Sequence, residues 1–365
     1  MPRGDQMPPS LALAHLLILG EEKSGKTSWA LAAAESGFNV LYLDGDVAQQ
    51  RINDLSPEAK QRVYYMDVSD TLVGDVDPRM IQTVADFMVA TRFLWNDTKQ
   101  REYSRRDSHD PETGACLDEI WEIRPSRLDH NWVLVIDSWT TLSYSAMLAK
   151  AQDLGESIAD VEKVERSIYS GTGNRLTNIL HTQQKAPCHT IVIGHPVQYE
   201  KRKAESGKTV REAMKENDQV IEWTKMIAKS SSNPHGYSMG KFFSDIGWID
   251  VDKWGKRKLN FEKTSERTSG GNLNSKGDPR VDHRFEDVIR KIGGTIPGAG
   301  AQDLGDALVI HPAGTYIPAA KKAPASIGGK SKASESRTLE NKTGGSAAPT
   351  QVKGLGGLAG LKRKS

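Results

Sequence analysis

Residues 11–27 read Leu-Ala-Leu-Ala-His-Leu-Leu-Ile-Leu-Gly-Glu-Glu-Lys-Ser-Gly-Lys-Thr, an apolar run that breaks into a loop rich in glycine and lysine. The last eight residues, Gly20, Glu21, Glu22, Lys23, Ser24, Gly25, Lys26 and Thr27, fit the pattern G-x-x-x-x-G-K-[ST]. Residues 11–19 read as a buried strand entering this loop, and residues 28–35 as a helix leaving it. The two glycines let the chain curl so that successive N–H groups point inward at phosphate oxygens. The start of the helix adds the positive end of its dipole. Lys26 would then reach the β- and γ-phosphates, and the Thr27 hydroxyl would ligate Mg²⁺. A second triplet, Gly207-Lys208-Thr209, lacks the first glycine, because position 202 is Arg202. It reads as an ordinary loop.

The 365 residues allow one large domain or two small ones. A hydrophobic share of 37% is low for a wholly globular chain, so part of it is expected to be disordered. The net charge of +2 hides an asymmetry. Residues 321–365 hold ten Lys or Arg against Glu335 and Glu340, a local charge of +8 that leaves −6 for the rest. Cys116 and Cys188 have no metal or redox spacing, which favours a reducing, cytoplasmic setting. The run 11–19 is too short to span a membrane and leads straight into the loop, so no membrane association is expected.

Residues 1–10, with three prolines, read as a flexible lead. Beyond them, alternating elements predict a parallel α/β sheet within a domain spanning 11–292. Strands are expected at 39–44, 62–66, 132–136 and 190–193. Helical spacing runs from Pro78 to about Arg101 through Ile81, Val84, Phe87, Met88, Thr91 and Leu94. The polar stretch 102–113 reads as a loop, and 102–130 as an insertion. Residues 138–151 start another helix, and 158–181 form a long one interrupted at Gly171-Thr172-Gly173. Residues 241–252 and 256–262 look like antiparallel strands turned at Lys253-Trp254-Gly255, and 285–292 like a last amphipathic helix. Residues 293–320 read as a weakly structured linker with a short strand at 307–310, and 321–365 as a disordered basic tail.

A phosphate loop needs a partner carboxylate at a nearby strand end. Asp137, closing the apolar run 132–136, would hold Mg²⁺ through water opposite Thr27. Asp44 closes the second strand and Asp46 follows it; both are placed to orient an attacking water, and a solvated turn rich in Asp and Gly fits nearly as well. His195 ends Ile191-Val192-Ile193-Gly194 and would face the γ-phosphate if that strand is central; a satisfied structural histidine fits equally.

The order of these pieces, with Val-Ile-Asp-Ser-Trp-Thr-Thr-Leu at 135–142, resembles the RecA-type ATPase core. In particular it is similar to the Sak-type single-strand-annealing ATPases of bacteriophages, over residues 12–280. The resemblance implies a RecA-like P-loop NTPase fold with a mainly parallel central sheet. It implies ATP and Mg²⁺ as cofactors, with Lys26, Asp46, Asp137 and His195 as the catalytic set. Asp46 stands where RecA has a catalytic glutamate, and His195 where RecA has a glutamine that senses the γ-phosphate. Both departures imply slow turnover. Lys276 and Arg280 match a late basic motif that a neighbouring subunit would bring to the γ-phosphate. The loop after the sensor strand contacts single-stranded DNA in such folds. Here it carries Tyr199, Lys201, Arg202, Lys203, Lys208 and Arg211. A homo-oligomer follows from the same resemblance. The terminal Leu361-Lys362-Arg363-Lys364-Ser365 would add diffuse DNA affinity or dock a single-strand-binding protein; a merely solubilising tail fits equally.

The expected function is therefore a DNA-stimulated ATPase that binds single-stranded DNA in phage recombination or annealing, located in the host cytoplasm. Two alternatives share the core. ATP-dependent unwinding would mark a hexameric helicase, and nucleotide binding without DNA affinity would mark a nucleotide-gated adaptor.

Overall fold

The computed structural model describes residues 12–46, 49–71, 77–155, 166–204, 219–230, 232–261, 270–271, 280–281, 284–297 and 304–317. All lie in one compact unit, Met1–Ile317; the second unit, Pro318–Ser365, is outside the described residues, as are the expected flexible lead and the basic tail.

The strands that build the main sheet are β1 (His15–Leu19), β2 (Asn39–Asp44), β3 (Val63–Asp67), β7 (Trp132–Asp137), β8 (His189–Gly194) and β11 (Asp245–Val251). Between β3 and β7 come β4 (Phe93–Asn96), β5 (Arg101–Glu102) and β6 (Ile120–Ile123). Between β8 and β11 lie β9 (Pro196–Ala204) and β10 (Gln219–Ala228). After β11 follow β12 (Arg257–Asn260), β13 (Gly270–Gly271), β14 (Arg280–Val281) and β15 (Leu308–His311). The helices that cover the sheet are α1 (Lys26–Leu31), α2 (Arg79–Val89), α3 (Trp139–Asp153), α4 (Arg166–Gln183) and α5 (Phe285–Ile292).

The main sheet runs β14-β12-β11-β1-β8-β7-β2-β3, with β13 also on β11. From β11 to β3 every pairing is parallel; only β12, β13 and β14, at one end, run antiparallel. The mainly parallel α/β architecture expected of the chain is thus present. Its cause is visible in the side chains. Strands buried on both faces read as unbroken apolar runs, and alternate residues serve opposite cores. Leu17, Leu19, Leu41, Leu43, Leu134, Ile136 and Val192 face the core built with α2, α3 and α4. Leu16, Ile18, Val40, Tyr42, Val133, Val135, Ile191 and Ile193 face the one built with α1 and α5. β8 lies between β1 and β7, so the phosphate loop and Asp137 come from strands that are not neighbours. Loops at the carboxyl ends of β1, β2, β7 and β8 therefore converge on one edge, where parallel sheets place their ligands.

Three readings of the sequence are corrected. The helix expected to run to residue 101 stops at Val89, because Ala90 is extended and β4 starts at Phe93. Phe93 and Trp95 are buried, Phe93 edge-on to Phe87, so the apolar spacing at that point marks a strand that packs on the helix. The break expected at Gly171-Thr172-Gly173 is absent, and α4 runs through it. Thr172 is buried and bonds back to the Ile168 carbonyl at 2.7 Å, while the Lys150 stem covers Gly171. Finally, the charged stretch after His195 begins as a strand, since β9 pairs antiparallel with β10 through Ala204. A separate antiparallel sheet, β15-β6-β4-β5, joins the region 93–123 to 308–311. No helix among the described residues is long and apolar enough to cross a membrane.

Candidate nucleotide site

The loop after β1 is shaped by two glycines. A Cβ on Gly20 would stand 2.6 Å from Ser24 Oγ and 2.9 Å from the Ile249 carbonyl of β11. Gly25 caps α1 at φ 95°, a left-handed conformation that favours glycine, and a Cβ there would meet the Arg257 guanidinium at 2.7–2.9 Å. Lys26 is buried, and its Nζ donates to the carbonyls of Gly20 and Glu21, both at 2.7 Å. Burial pushes its pKa down, against the opposing pull of Asp137, Asp46, Glu21 and Glu22.

Thr27 Oγ1 donates to Asp137 Oδ2 at 2.7 Å, closing the gap left by the intervening strand. The Tyr42 hydroxyl donates to the same oxygen. Burial pushes the Asp137 carboxyl up to about 6; the Tyr42 and Thr27 bonds oppose that rise, and Asp46 and Asp44 add to it. Burial and the neighbouring Asp137 push the Tyr42 hydroxyl well above its usual range, so it stays a donor. The peptide bond Asp137–Ser138 is cis. Ser138 then caps α3, its side chain accepting the Thr141 N–H at 3.3 Å.

The two acids after β2 separate by surroundings. Asp44 is buried and spent on structure: Oδ1 accepts the Asp46 N–H and Oδ2 the Tyr65 hydroxyl, both at 2.9 Å. Asp46 turns toward the loop, within electrostatic reach of Lys26 and Asp137, and its carboxylate accepts the Thr141 hydroxyl. His195 stands at the tip of β8. Its N–H donates to Thr140 Oγ1 at 3.1 Å, and its carbonyl accepts the Lys229 N–H at 2.7 Å. Burial, then the charge of Lys26, hold its imidazole below the usual histidine range, against Asp46 and Glu22. At neutral pH it is therefore uncharged.

Lys26, Thr27, Asp46, Asp137 and His195 thus gather at one sheet edge from four separate segments. Tyr199 lies on β9, four residues past His195, and the backbones of Lys201, Arg202 and Lys203 belong to the same strand. Arg280 pairs with Asn260 at the far side of the sheet, three strands from β1. Lys208, Arg211 and Lys276 lie outside the described residues. Tyr42, Thr140, Thr141 and Arg257 belong to the site without having been anticipated. Only the run Ser138-Trp139-Thr140-Thr141, a cap followed by hydroxyls, carried a signal.

The donor set fits ATP with Mg²⁺. The Thr27 hydroxyl and Asp137 carboxylate are hard oxygen ligands, and Mg²⁺ on nucleotides is held by one or two such groups with waters and phosphates. Gly20 and Gly25 leave the backbone bare where a Cβ would crowd the cradle.

Among solved structures, the chain is similar to the crystal structure of the RadB recombinase, at 18% identity and a TM-score of 0.34, covering 72% of this chain and 85% of that one. No curated protein matches it. The AAA domain family matches residues 13–272, most of the chain and all of the loop, strand ends and helices that form the site. The chain belongs to the AAA domain family, and its site is that of a P-loop ATPase.

Proposed function

We propose that this protein binds ATP with Mg²⁺, hydrolyses it slowly, and does so as a single-stranded-DNA-binding recombination or annealing protein of phage DNA metabolism. The observation that carries the nucleotide part is the 2.7 Å bond from Thr27 to Asp137, made across the loop that buries Lys26. Mg²⁺, when bound, neutralises charge on the terminal phosphates. Lys26, now on the Gly20 and Glu21 carbonyls, would bind phosphate oxygens, and the Thr27 hydroxyl and the Asp137 carboxylate would hold the metal. Asp46 accepts a proton from, or orients, the attacking water, and neutral His195 senses the terminal phosphate. The short Asp46 side chain, already engaged by Thr141, favours slow turnover.

Support for DNA binding comes from position and charge. β9 starts at the residue after His195 and carries Tyr199, Lys201, Arg202 and Lys203, and Lys208 and Arg211 follow in sequence. On this reading the protein acts as a homo-oligomer in the cytoplasm. Lys276 and Arg280 serve a neighbour's nucleotide, and the basic tail meets a single-strand-binding protein.

The test is ATPase activity with and without a single-stranded oligonucleotide. Lys26→Ala is expected to lower hydrolysis at least on the order of a hundredfold, as loss of an oxyanion donor does. Asp46→Asn, which touches no phosphate, should lower hydrolysis while ATP affinity stays near that of the parent. Normal turnover by folded Lys26→Ala would end the site assignment, and ATP-dependent unwinding would move the protein to the helicases.

A further inference from the structure

Beside the nucleotide site, on the flank of α3, lies a second cavity of about 330 Å³. Its walls include the hydroxyl residues Thr140, Thr141, Ser143 and Ser230, with Tyr144 and Lys229 at its mouth. Tyr144 is 40% exposed although it sits on a helix whose other large side chains are mostly covered, and Lys229 is exposed too. The inner wall is fixed. Ser230 is held by Trp139 Nε1 at 3.2 Å, by Ser143 at 3.3 Å and by His235 Nδ1 at 2.8 Å, and His235 stacks on Trp139.

Three lining residues touch the hydrolytic groups directly. Thr141 donates to the Asp46 carboxylate, Thr140 accepts the His195 N–H, and Lys229 N–H donates to the His195 carbonyl. The cavity is also the root of the β9–β10 ribbon. β9 begins at Pro196, next to His195, and β10 ends at Ala228, next to Lys229. A ligand here would sit against an exposed aromatic ring, a cation and a set of hydroxyls. Those are the groups that take the base, the phosphate and the sugar of a nucleic acid. The volume lies at the small end of ligand pockets, suited to a single unit of a chain that continues outside.

We propose that this cavity takes one nucleotide unit of single-stranded DNA, with its base on the Tyr144 ring and its phosphate at Lys229, and that Thr141 and Thr140 pass its presence to Asp46 and His195. The inference rests on the DNA-binding reading above and deepens it. The basic run Lys201-Arg202-Lys203 on the ribbon supplies the complementary charge for the rest of the strand. Thr141 is a positioning residue: it holds the carboxylate of Asp46, and a strand in the cavity moves that hold.

The experiment uses the full chain and a fluorescent oligodeoxythymidylate, with binding read by anisotropy and ATPase rate read with and without the oligonucleotide. Tyr144→Ala and Lys229→Ala are each expected to weaken oligonucleotide binding about tenfold, the scale of a single base stack or phosphate pairing. Thr141→Val is expected to lose the DNA-induced rise in rate even at saturating oligonucleotide, and Thr141→Ser to restore it. ATP affinity, measured on every variant, certifies the fold. Should the parent bind the oligonucleotide while Tyr144→Ala and Lys229→Ala bind it equally well, the cavity assignment falls and the DNA reading stands. Should Thr141→Val keep the full rise in rate, the coupling falls. Competition by free thymidine monophosphate as strong as by the oligonucleotide would make the ligand a mononucleotide and overturn the proposal. A parent that does not bind the oligonucleotide removes the DNA reading itself.

Discussion

Nδ1 of His189 accepts the Ala14 N–H at 3.0 Å at the base of the sheet, and the rings of Phe38 and Phe285 stand edge-on to its imidazole. Burial, then the neighbouring His15, hold its pKa down to about 4. The unfolded chain takes up a proton between about pH 6.5 and 4, and the folded one does not. Stability from this residue is therefore complete above 6.5 and falls as pH drops toward 4, by about 3 kcal/mol in all. Urea unfolding at pH 7 and pH 4.5 checks this against His189→Asn, which keeps an acceptor without a titration. The parent is expected to lose about 2–3 kcal/mol more than the variant, and equal losses would remove His189 as the cause. Legibility at this scale followed contiguity. The loop from Gly20 to Thr27 carries its own geometry in eight consecutive residues, so the sequence alone reveals it. Tyr42 and Thr141 reach Asp137 and Asp46 from 95 residues away; nothing local distinguishes Tyr42 from other strand residues, and the hydroxyl run at 138–141 does not say which carboxylate it meets.

The strand β9 shows what a pattern-based reading misses among elements. In a sheet covered on one face, alternation betrays a strand; among the described strands β9 pairs with β10 alone. Its Glu-Lys-Arg-Lys run has no apolar partner positions to alternate with, so it reads as loop. The core strands were legible because double burial leaves them uniformly apolar, and the hairpin β11–β12 because Gly255, at φ 79°, marks its turn. Function at this scale is tested by charge. Neutralising Lys201, Arg202, Lys203, Lys208 and Arg211 together should weaken single-stranded DNA binding and flatten its dependence on salt, by roughly 0.7 in the log–log slope for each phosphate left without its cation. Removing residues 321–365 should weaken binding less, since that segment's contribution is diffuse attraction. A titration of affinity against salt separates the two. If the tail deletion abolishes binding and the variant neutralised at those five residues binds normally, DNA recognition belongs to the tail.

Across the whole molecule, the second sheet is assembled from distant parts of the chain. β15 lies on β6 from Leu308↔Ile123 to His311↔Ile120, and Arg124 N–H reaches the Ala307 carbonyl at 2.8 Å. Glu122, nearly buried, is opposed by its burial but held ionised by Arg92 at 2.6 Å, Arg124 at 2.8 Å and His311 at 3.2 Å. No local signal links residue 122 to residue 311, which is why the stretch 102–130 reads as an insertion and 293–320 as a linker. A chain ending at residue 317 is expected to melt like the parent. One ending at residue 303 loses the buried Leu308 and Ile317 and uncovers the edge of β6. Its melting temperature, followed by circular dichroism, should fall on the order of 10 °C. Equal melting of the two would show that β15 adds nothing to the core. The separateness of this sheet also has an evolutionary consequence. Among the described residues it shares no strand with the sheet that bears the loop and Asp137, but Phe93, Trp95, Trp121, Ile123 and Leu308 pack in the same core as Leu134 and Ile136, so lineages can remodel it only while keeping that core filled. They must do so at both ends at once: a change at Ile123 has to be answered at Leu308, and one at Glu122 at His311, across more than half the length of the chain.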